Sequence, residues 1–257
     1  MTQTTSAPRR LAHDSEEYKA ALASSLRWDA DRKEPYLQLP NFPHIRLAPF
    51  REGIEDDMVT LFNHPEVGKR LYSLPYPMPR SFAESWVEKD LPKHKAIISA
   101  IAEHAVSLEA DEPISPKPNA PLLNGSPFKS VWDTEQGRII ADIKYAIDTE
   151  NADGSNKTED EAYAVPRAQQ KYELGYVLEP AAWGKGLATE IVGAIVYGYG
   201  DVWVRPGTLS AYAETDNAGS GRVLVKNGLQ KIKEISEKWP EHKGGEVHHA
   251  GYYERRV

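Results

Sequence analysis

The chain has 257 residues, 40% hydrophobic and 27% charged, which is typical of a globular protein whose length suits one large domain or two small ones. It contains no cysteine, and this excludes disulfides, thiolate metal ligands and a cysteine nucleophile. The chain has 38 acidic and 31 basic side chains, so we expect no nucleic-acid partner. It has no run of about 18 apolar residues, so we expect no membrane span and a cytoplasmic location.

The N-terminal half predicts one strand and three helices. The first 40 residues are mostly polar and predict one amphipathic helix over 16–26, so we interpret 1–40 as an N-terminal appendage to a domain over 41–257. Alternation over 44–50 predicts a short strand. Apolar residues at helical spacing predict helices over 52–63 and 81–104, with Pro92 as a kink or division in the second.

Two stretches do not have the composition of packed structure. Residues 111–127 contain five prolines, and residues 148–161 carry six acidic side chains and one lysine. Neither stretch is expected to bury enough apolar surface to offset the entropy of ordering it. We therefore predict loop insertions near 107–127 and 148–168, with a hairpin between them that turns at Gly137.

The last third predicts alternating strands and helices. A strand that begins at Lys171 and is stopped by Pro180 precedes a helix over 184–200, which we expect to stop at Gly200 in a left-handed conformation. A strand over 208–214 precedes a helix that begins at an Asn217 cap, runs through Asn227 and stops at Gly228. Two polar strands, 229–239 and 246–256, complete the chain.

A glycine-rich loop joins the strand predicted from Lys171 to the following helix. Small residues at Gly184, Gly186 and Ala188 allow a turn that exposes backbone N–H groups at a helix N-terminus, where a phosphate or pyrophosphate is favoured. A tight turn at the entrance to a buried helix explains the same residues. The spacing fits neither a Walker loop nor GxGxxG, which disfavours a nucleotide triphosphatase and a Rossmann dehydrogenase.

Six ordered segments together carry a family resemblance, namely 45–50 (IRLAPF), 62–67 (FNHPEV), 173–178 (ELGYVL), 183–190 (WGKGLATE), 217–220 (NAGS) and 226–229 (KNGL). In this order they resemble the GNAT superfamily of N-acetyltransferases, specifically its RimJ/RimL-like branch of ribosomal-protein N-terminal acetyltransferases. The superfamily loop has Gln or Arg, two residues, Gly, any residue, then Gly or Ala. Here Trp183 takes the first position, an aromatic replacement usual in the branch, while Gly186 and Ala188 match.

The resemblance implies an α/β fold with a mixed, mostly antiparallel central sheet that is splayed between its fourth and fifth strands and flanked by helices. It also implies acetyl-CoA as cosubstrate, lodged in that gap, with backbone amides near Val177 on the acetyl carbonyl and its pyrophosphate on the glycine loop. The cofactor-binding residues that it implies are Tyr176, Val177, Leu178, Trp183, Gly184, Lys185, Gly186, Leu187, Ala188, Thr189, Asn217 and Ser220.

Attack of an amine on a thioester needs a group that accepts the amine proton and a donor for the leaving thiolate. Glu173 is the candidate base, because members of the family often carry a catalytic glutamate on the fourth strand; a solvated strand carboxylate is the alternative. Ser220 is the candidate acid or hydrogen-bond donor to the thiolate, and stabilisation of the first helical turn is its alternative. Asn217 would orient the pantetheine arm, or act only as a helix cap.

The sequence does not determine which acceptor is used or whether the protein is catalytically active. We expect an acetyl-CoA-dependent N-acetyltransferase that acts on a primary amine, either a protein N-terminus or a small amine, as a monomer or homodimer. A catalytically silent acyl-CoA-binding regulatory module is the alternative. We expect no metal, since His248 and His249 lack further ligands at helical spacing and suit an exposed or packed pair. The acidic run 148–161 would attract a cationic amine, or is simply a solvated loop.

Overall fold

Nine strands form one sheet in the computed structural model, which describes residues 10–110, 112–151 and 154–257. The spatial order is β1-β2-β3-β4-β5-β6-β7-β9-β8. The strands are β1 Leu26–Asp29, β2 Glu34–Leu39, β3 Phe42–Pro49, β4 Phe128–Asp133, β5 Arg138–Ile147, β6 Lys171–Leu178, β7 Thr208–Glu214, β8 Gln230–Lys238 and β9 Val247–Arg256.

Seven α-helices accompany the sheet in the described part of the chain. They are α1 Glu16–Ala23, α2 Glu55–Asn63, α3 Pro65–Gly68, α4 Arg80–His104, α5 Glu159–Ala164, α6 Leu187–Gly193 and α7 Ala218–Lys226. Helix α6 continues without a break into a π-helical segment, Ala194–Val204. None of the described helices combines the length and the apolar character that a bilayer crossing requires.

The topology confirms the predicted mixed, mostly antiparallel sheet. Every neighbouring pair is antiparallel except β6 and β7, which run parallel from Lys171 opposite Thr208 to Leu174 opposite Ala211. Beyond that point β6 continues along β5, and β7 continues along β9, but the two strands no longer pair with each other. The predicted fourth and fifth strands are therefore β6 and β7, and the sheet opens between their C-terminal ends.

Two cores lie on opposite faces of the sheet. Tyr172 and Leu174 of β6 belong to the larger core, which includes Ile191 and Ile195 of the helix after the glycine loop. Val177 lies three positions after Leu174 on the same strand and packs against a smaller core formed with α2 and α4. Since side chains alternate between faces along a strand, α6 and α2 cover opposite sides of the opening.

The N-terminal region contains two strands that sequence patterning missed. The helix predicted over 16–26 is present as α1 but ends at Ala23, because Leu26 begins β1. Strands β1 and β2 extend the sheet, with Leu37 of β2 opposite Leu47 of β3. Helix α1 packs against the π-helical segment, where a Cβ on Gly198 would come within 2.7 Å of the Leu22 carbonyl oxygen. The domain boundary at residue 40 stays a prediction, although the sheet continues across it.

Two details of the helix predictions are wrong. The helix after the glycine loop does not stop at Gly200 but continues to Val204, because its last turn buries Trp203 and Val204 in the larger core. Arg205, with φ 53°, takes the left-handed position, and its N–H donates to the Gly200 carbonyl at 2.7 Å. Of the two roles predicted for Pro92, division of the third helix is wrong, since α4 continues through it, while a kink stays a prediction.

The described residues of the proline-rich stretch 111–127 and of the acidic stretch 148–161 are more packed than the composition of these stretches predicts. Ile114 and Leu123 are both buried in the larger core, and the Leu123 N–H donates to the Trp203 carbonyl at 2.7 Å. In the acidic stretch, Thr158 caps α5 through a reciprocal capping box, and Ala162 is buried. A few well-placed apolar side chains thus anchor both stretches, and their status as loop insertions stays a prediction.

Candidate functional site

The opening between β6 and β7 defines the candidate site. Val177 and Glu214 each lie three residues beyond the last parallel pair, Leu174 and Ala211, so they flank the opening at the same level and on the same face. The edge of β6 that faces β7 has no partner in β7 beyond Leu174. Backbone N–H groups at such a strand edge are free to bind an oxygen of a ligand inserted between the strands.

The glycine loop follows β6 directly and takes the conformation that its glycines permit. Gly184 has φ 73° and Gly186 has φ 84°, and Gly186 occupies the N-cap position of α6. The half-exposed indole of Trp183 donates its N–H to the Leu178 carbonyl at 2.9 Å, which fixes the loop against the end of β6. The first N–H groups of the long helical run from Leu187 have no intrahelical partner, so they suit an anionic ligand.

A buried carboxylate lies just behind this loop. Glu190 is fully buried, and it accepts hydrogen bonds from the backbone N–H of Asn41 at 2.5 Å and from the Asn41 amide at 3.0 Å. Burial raises the pKa of Glu190, while the two bonds from Asn41 oppose that rise. Local sequence patterns do not link these two residues, because they are 149 positions apart.

Three predicted residues meet at the start of α7. The Asn217 side chain accepts the Ser220 N–H at 3.1 Å, as an N-cap does. The Ser220 hydroxyl lies 2.8 Å from the hydroxyl of Tyr176, which bridges from β6. Burial raises the pKa of Tyr176 to about 12, with the bond to Ser220 acting in the opposite direction. Two neutral hydroxyls that can donate therefore stand together beside the opening.

Glu173 lies on the opposite face from Ser220. It is three positions before Tyr176 on β6, so the two side chains point to different sides of the sheet. Its strand position is directly opposite Ser210, within the paired part of β6 and β7. Its carboxylate, about one-third exposed, forms an ion pair of 2.6 Å with Lys144. The two candidate catalytic residues therefore approach the opening from opposite sides.

A second group of polar side chains lies beside the Glu173 face, at the end of β7. Glu214 accepts a bond of 2.9 Å from Arg70 and lies 2.8 Å from Nδ1 of His248. The His248 ring stacks on Trp239 with 3.8 Å between centroids, whereas His249 bonds the Ser236 hydroxyl. The two histidines thus have separate partners, and within the described residues no three His, Cys, Asp or Glu side chains are placed to hold a metal ion.

A groove of about 580 Å³ runs along α7 from the end of β7. Asn217 and Glu214 line one part of it, and Tyr253 of β9 forms part of its wall. Three basic side chains of the groove, Arg222, Lys226 and Lys231, add positive charge to it. The groove therefore offers space and charge next to the helix start that holds Ser220.

A sheet that opens between two parallel strands, with a glycine loop at the start of the following helix, is the architecture of an acetyltransferase domain. The family model "Acetyltransferase (GNAT) domain" matches residues 44–230. The chain belongs to this family, and the predicted fold and superfamily are confirmed.

The similarity of this chain to individual proteins either covers a short segment or has a low sequence identity. An uncharacterized N-acetyltransferase, YoaA of Bacillus subtilis, is 33% identical over 70 residues, which cover 27% of this chain and 38% of that protein. The crystal structure of ribosomal-protein-S5-alanine acetyltransferase from Vibrio fischeri superposes with a TM-score of 0.52 at 14% identity, covering 84% of this chain and 94% of that one. RimL, a ribosomal L7/L12 α-N-protein acetyltransferase in complex with coenzyme A, gives 0.51 at 12% identity, covering 83% and 94%.

Proposed function

We propose that this protein transfers an acetyl group from acetyl-CoA to a primary amine, without a covalent enzyme intermediate. The observation that carries the proposal is the opening between β6 and β7, with the glycine loop at its end and the Tyr176–Ser220 hydroxyl pair in its wall. The family match supports acetyl transfer, and the coenzyme A complex of RimL supports the cosubstrate.

The cosubstrate is proposed to lie in the opening with its pyrophosphate on the glycine loop. N–H groups of Gly184, Lys185, Gly186 and Leu187 would contact the phosphates, with Ala188 and Thr189 in the first turn of α6. The β6 backbone around Val177 and Leu178 would bind the acetyl carbonyl, because this strand edge is unpaired. Trp183 would keep the loop in place through its bond to the Leu178 carbonyl.

The proposed chemistry forms a bond between the amine nitrogen and the acetyl carbon and breaks the bond between that carbon and sulfur. Glu173 accepts the proton that the amine loses, and the ion pair with Lys144 holds its carboxylate in place. Ser220 donates a hydrogen bond to the departing thiolate, and Tyr176 orients the Ser220 hydroxyl. Because these residues lie on opposite faces, the amine and the thiol need not compete for space.

The acceptor is proposed to reach the opening from the face that carries Glu173. Glu214 lies on that face beside the opening and shares the guanidinium of Arg70 with Asp216. Two carboxylates with one arginine favour approach of a cationic amine before it loses a proton. This charge suits a protein N-terminus and a small amine equally. Both acceptor classes therefore belong in the first experiments.

The test is release of free CoA from acetyl-CoA in the presence of panels of peptides and small amines, followed by the mass of the products. The proposal predicts CoA release only when an acceptor is present, together with an acceptor that gains one acetyl group. Tight binding of acetyl-CoA without turnover on either panel would instead support the silent acyl-CoA-binding module. Failure to bind acetyl-CoA would overturn both functions.

A further inference from the structure

The segment before α1 lies directly on the glycine loop. The guanidinium of Arg10 donates to the Lys185 carbonyl at 2.6 Å. A Cβ placed on Gly186 would come within 3.2 Å of Nη2 of Arg10 and 3.3 Å of Nε2 of His13. The side chains of Arg10 and His13, which come from the N-terminal segment, thus border the space that a side chain at position 186 would occupy.

The positive charge at this point comes from two parts of the chain. Burial lowers the pKa of His13, and the nearby charges of Lys226 and Arg10 lower it further, while Asp14 acts in the opposite direction. Lys226 also lines the groove along α7. Within the described residues neither Arg10 nor Lys226 forms an ion pair, although the charge of Arg10 also acts on the buried carboxylate of Glu190 and lowers its pKa.

Several contacts hold the segment in this place. The Asn41 side chain bonds both the N–H and the carbonyl of Leu11, at 2.6 and 3.1 Å, and Asn41 is itself held by the buried carboxylate of Glu190. Arg10 lies over the ring of Phe42 at 5.0 Å. The segment is therefore tied to the helix that begins at the glycine loop, and its basic groups are positioned before any ligand arrives.

We propose that the segment 10–13 is part of the cosubstrate site, and that Arg10 and His13 bind the phosphate groups of coenzyme A together with the glycine loop. This inference rests on the proposed function. Both residues precede the part of the chain that matches the family model, residues 44–230. Basic side chains without an ion-pair partner beside the free N–H groups of a helix start form a site for a phosphate or pyrophosphate, and Lys226 extends the charge into the groove.

The test compares two ligands that carry the same thioester. Acetyl-CoA contains the pyrophosphate and the 3′-phosphate, whereas acetyl-pantetheine has no phosphate. Calorimetric affinities would be measured for the wild type, Arg10→Gln, His13→Gln and the control Arg32→Gln, which removes an exposed charge from the turn between β1 and β2. Thermal unfolding of each variant would verify that it is folded.

We expect Arg10→Gln to weaken acetyl-CoA binding about tenfold or more, as loss of a charge-assisted hydrogen bond does. His13→Gln should weaken it less, and neither variant should change acetyl-pantetheine binding. Arg32→Gln should bind both ligands as the wild type does. Unchanged acetyl-CoA affinity in both variants would overturn the inference, and tighter binding would overturn it by showing that the segment obstructs the loop. A wild type that binds neither ligand would overturn the proposed function first.

Discussion

Nζ of Lys144 on β5 lies 2.6 Å from Oε2 of Glu173 on β6. Both side chains lie on the face of the sheet opposite Ser220 and Tyr176. An ion pair between groups about half and one-third exposed adds little to the stability of the fold. Its more useful effect is to fix the direction of the Glu173 carboxylate at the closed end of the opening.

Glu173→Gln should lower turnover by roughly 100-fold or more near neutral pH, because the amide keeps the shape of the side chain but cannot accept a proton. The defect should shrink at higher pH, where more of the amine arrives neutral, and acetyl-CoA affinity should barely change. Steady-state rates across pH on an acceptor found in the panels measure this. Lys144→Met keeps the carboxylate but removes the ion pair that holds it in place, so it should lower turnover by less than Glu173→Gln does. If Glu173→Gln turns over like the wild type at every pH, water or another group accepts the amine proton and the assignment of Glu173 is wrong. His248, which lies 2.8 Å from Glu214, would then be tested as the base.

Ser220→Ala should lower turnover at all pH values, because the leaving thiolate needs a donor whether or not the amine is already neutral. Tyr176→Phe keeps the Ser220 hydroxyl but removes its 2.8 Å partner, so it should cause a smaller loss of the same kind. The pH profiles of both variants should run parallel to that of the wild type. A Ser220→Ala defect that disappears at high pH would show that Ser220 acts on the amine and not on the sulfur.

Gly186→Ala and Gly184→Ala separate backbone strain from crowding at the loop. Both glycines have positive φ, 84° and 73°, so each substitution strains the backbone. Only at Gly186 does the added Cβ meet neighbours, Arg10 and His13, since nothing lies within 4 Å of one on Gly184. Acetyl-CoA affinity should therefore fall more in Gly186→Ala than in Gly184→Ala. Gly186→Glu should abolish binding, because its side chain is bulky and its negative charge repels the phosphates of acetyl-CoA. Equal affinities of the two alanine variants would remove the crowding argument.

Acid should destabilise the protein partly through His94 in α4. Its pKa is lowered to about 4, mainly by burial; Lys129 and Lys93 act in the same direction, while Asp90 and a bond to the Pro127 backbone oppose the change. Because the unfolded chain has a His pKa near 6.5, the stability due to the neutral ring is present above pH 6.5 and is lost as the pH falls towards 4.

His94→Phe removes this proton site while keeping a ring that stacks on Phe50. Between pH 7 and pH 5 the wild type should lose about 2 kcal/mol more unfolding free energy than the variant, measured by urea denaturation. Burial raises the pKa of Asp142 to about 6, which has the opposite effect on stability as the pH falls, but Asp142 titrates in both proteins and cancels in the comparison. The same pH dependence in both proteins would exclude His94 as the source.

Sequence patterning predicted local elements well where the signals were strong. Asn217 caps α7, Gly228 stops it with φ 84°, and the strand before the glycine loop begins at Lys171 as predicted, although it ends at Leu178, two residues before the predicted stop at Pro180. Patterning missed β1 and β2, because short strands such as Leu26–Asp29 are defined by the partner they pair with. It also placed a helix end at Gly200, because a glycine signal does not report that the next turn buries Trp203.

The sequence by itself determined the family, the order of strands and helices from β6 to β9, and the glycine loop between β6 and α6, because each of these is encoded by neighbouring residues. Only the tertiary structure decided which side chains surround that loop and which faces of the sheet the predicted catalytic residues occupy. Arg10 bonds the Lys185 carbonyl across 175 positions, and Asn41 bonds Glu190 across 149. Local periodicity carries no information about such pairs, since a contact between distant residues exists only once the core between them has packed.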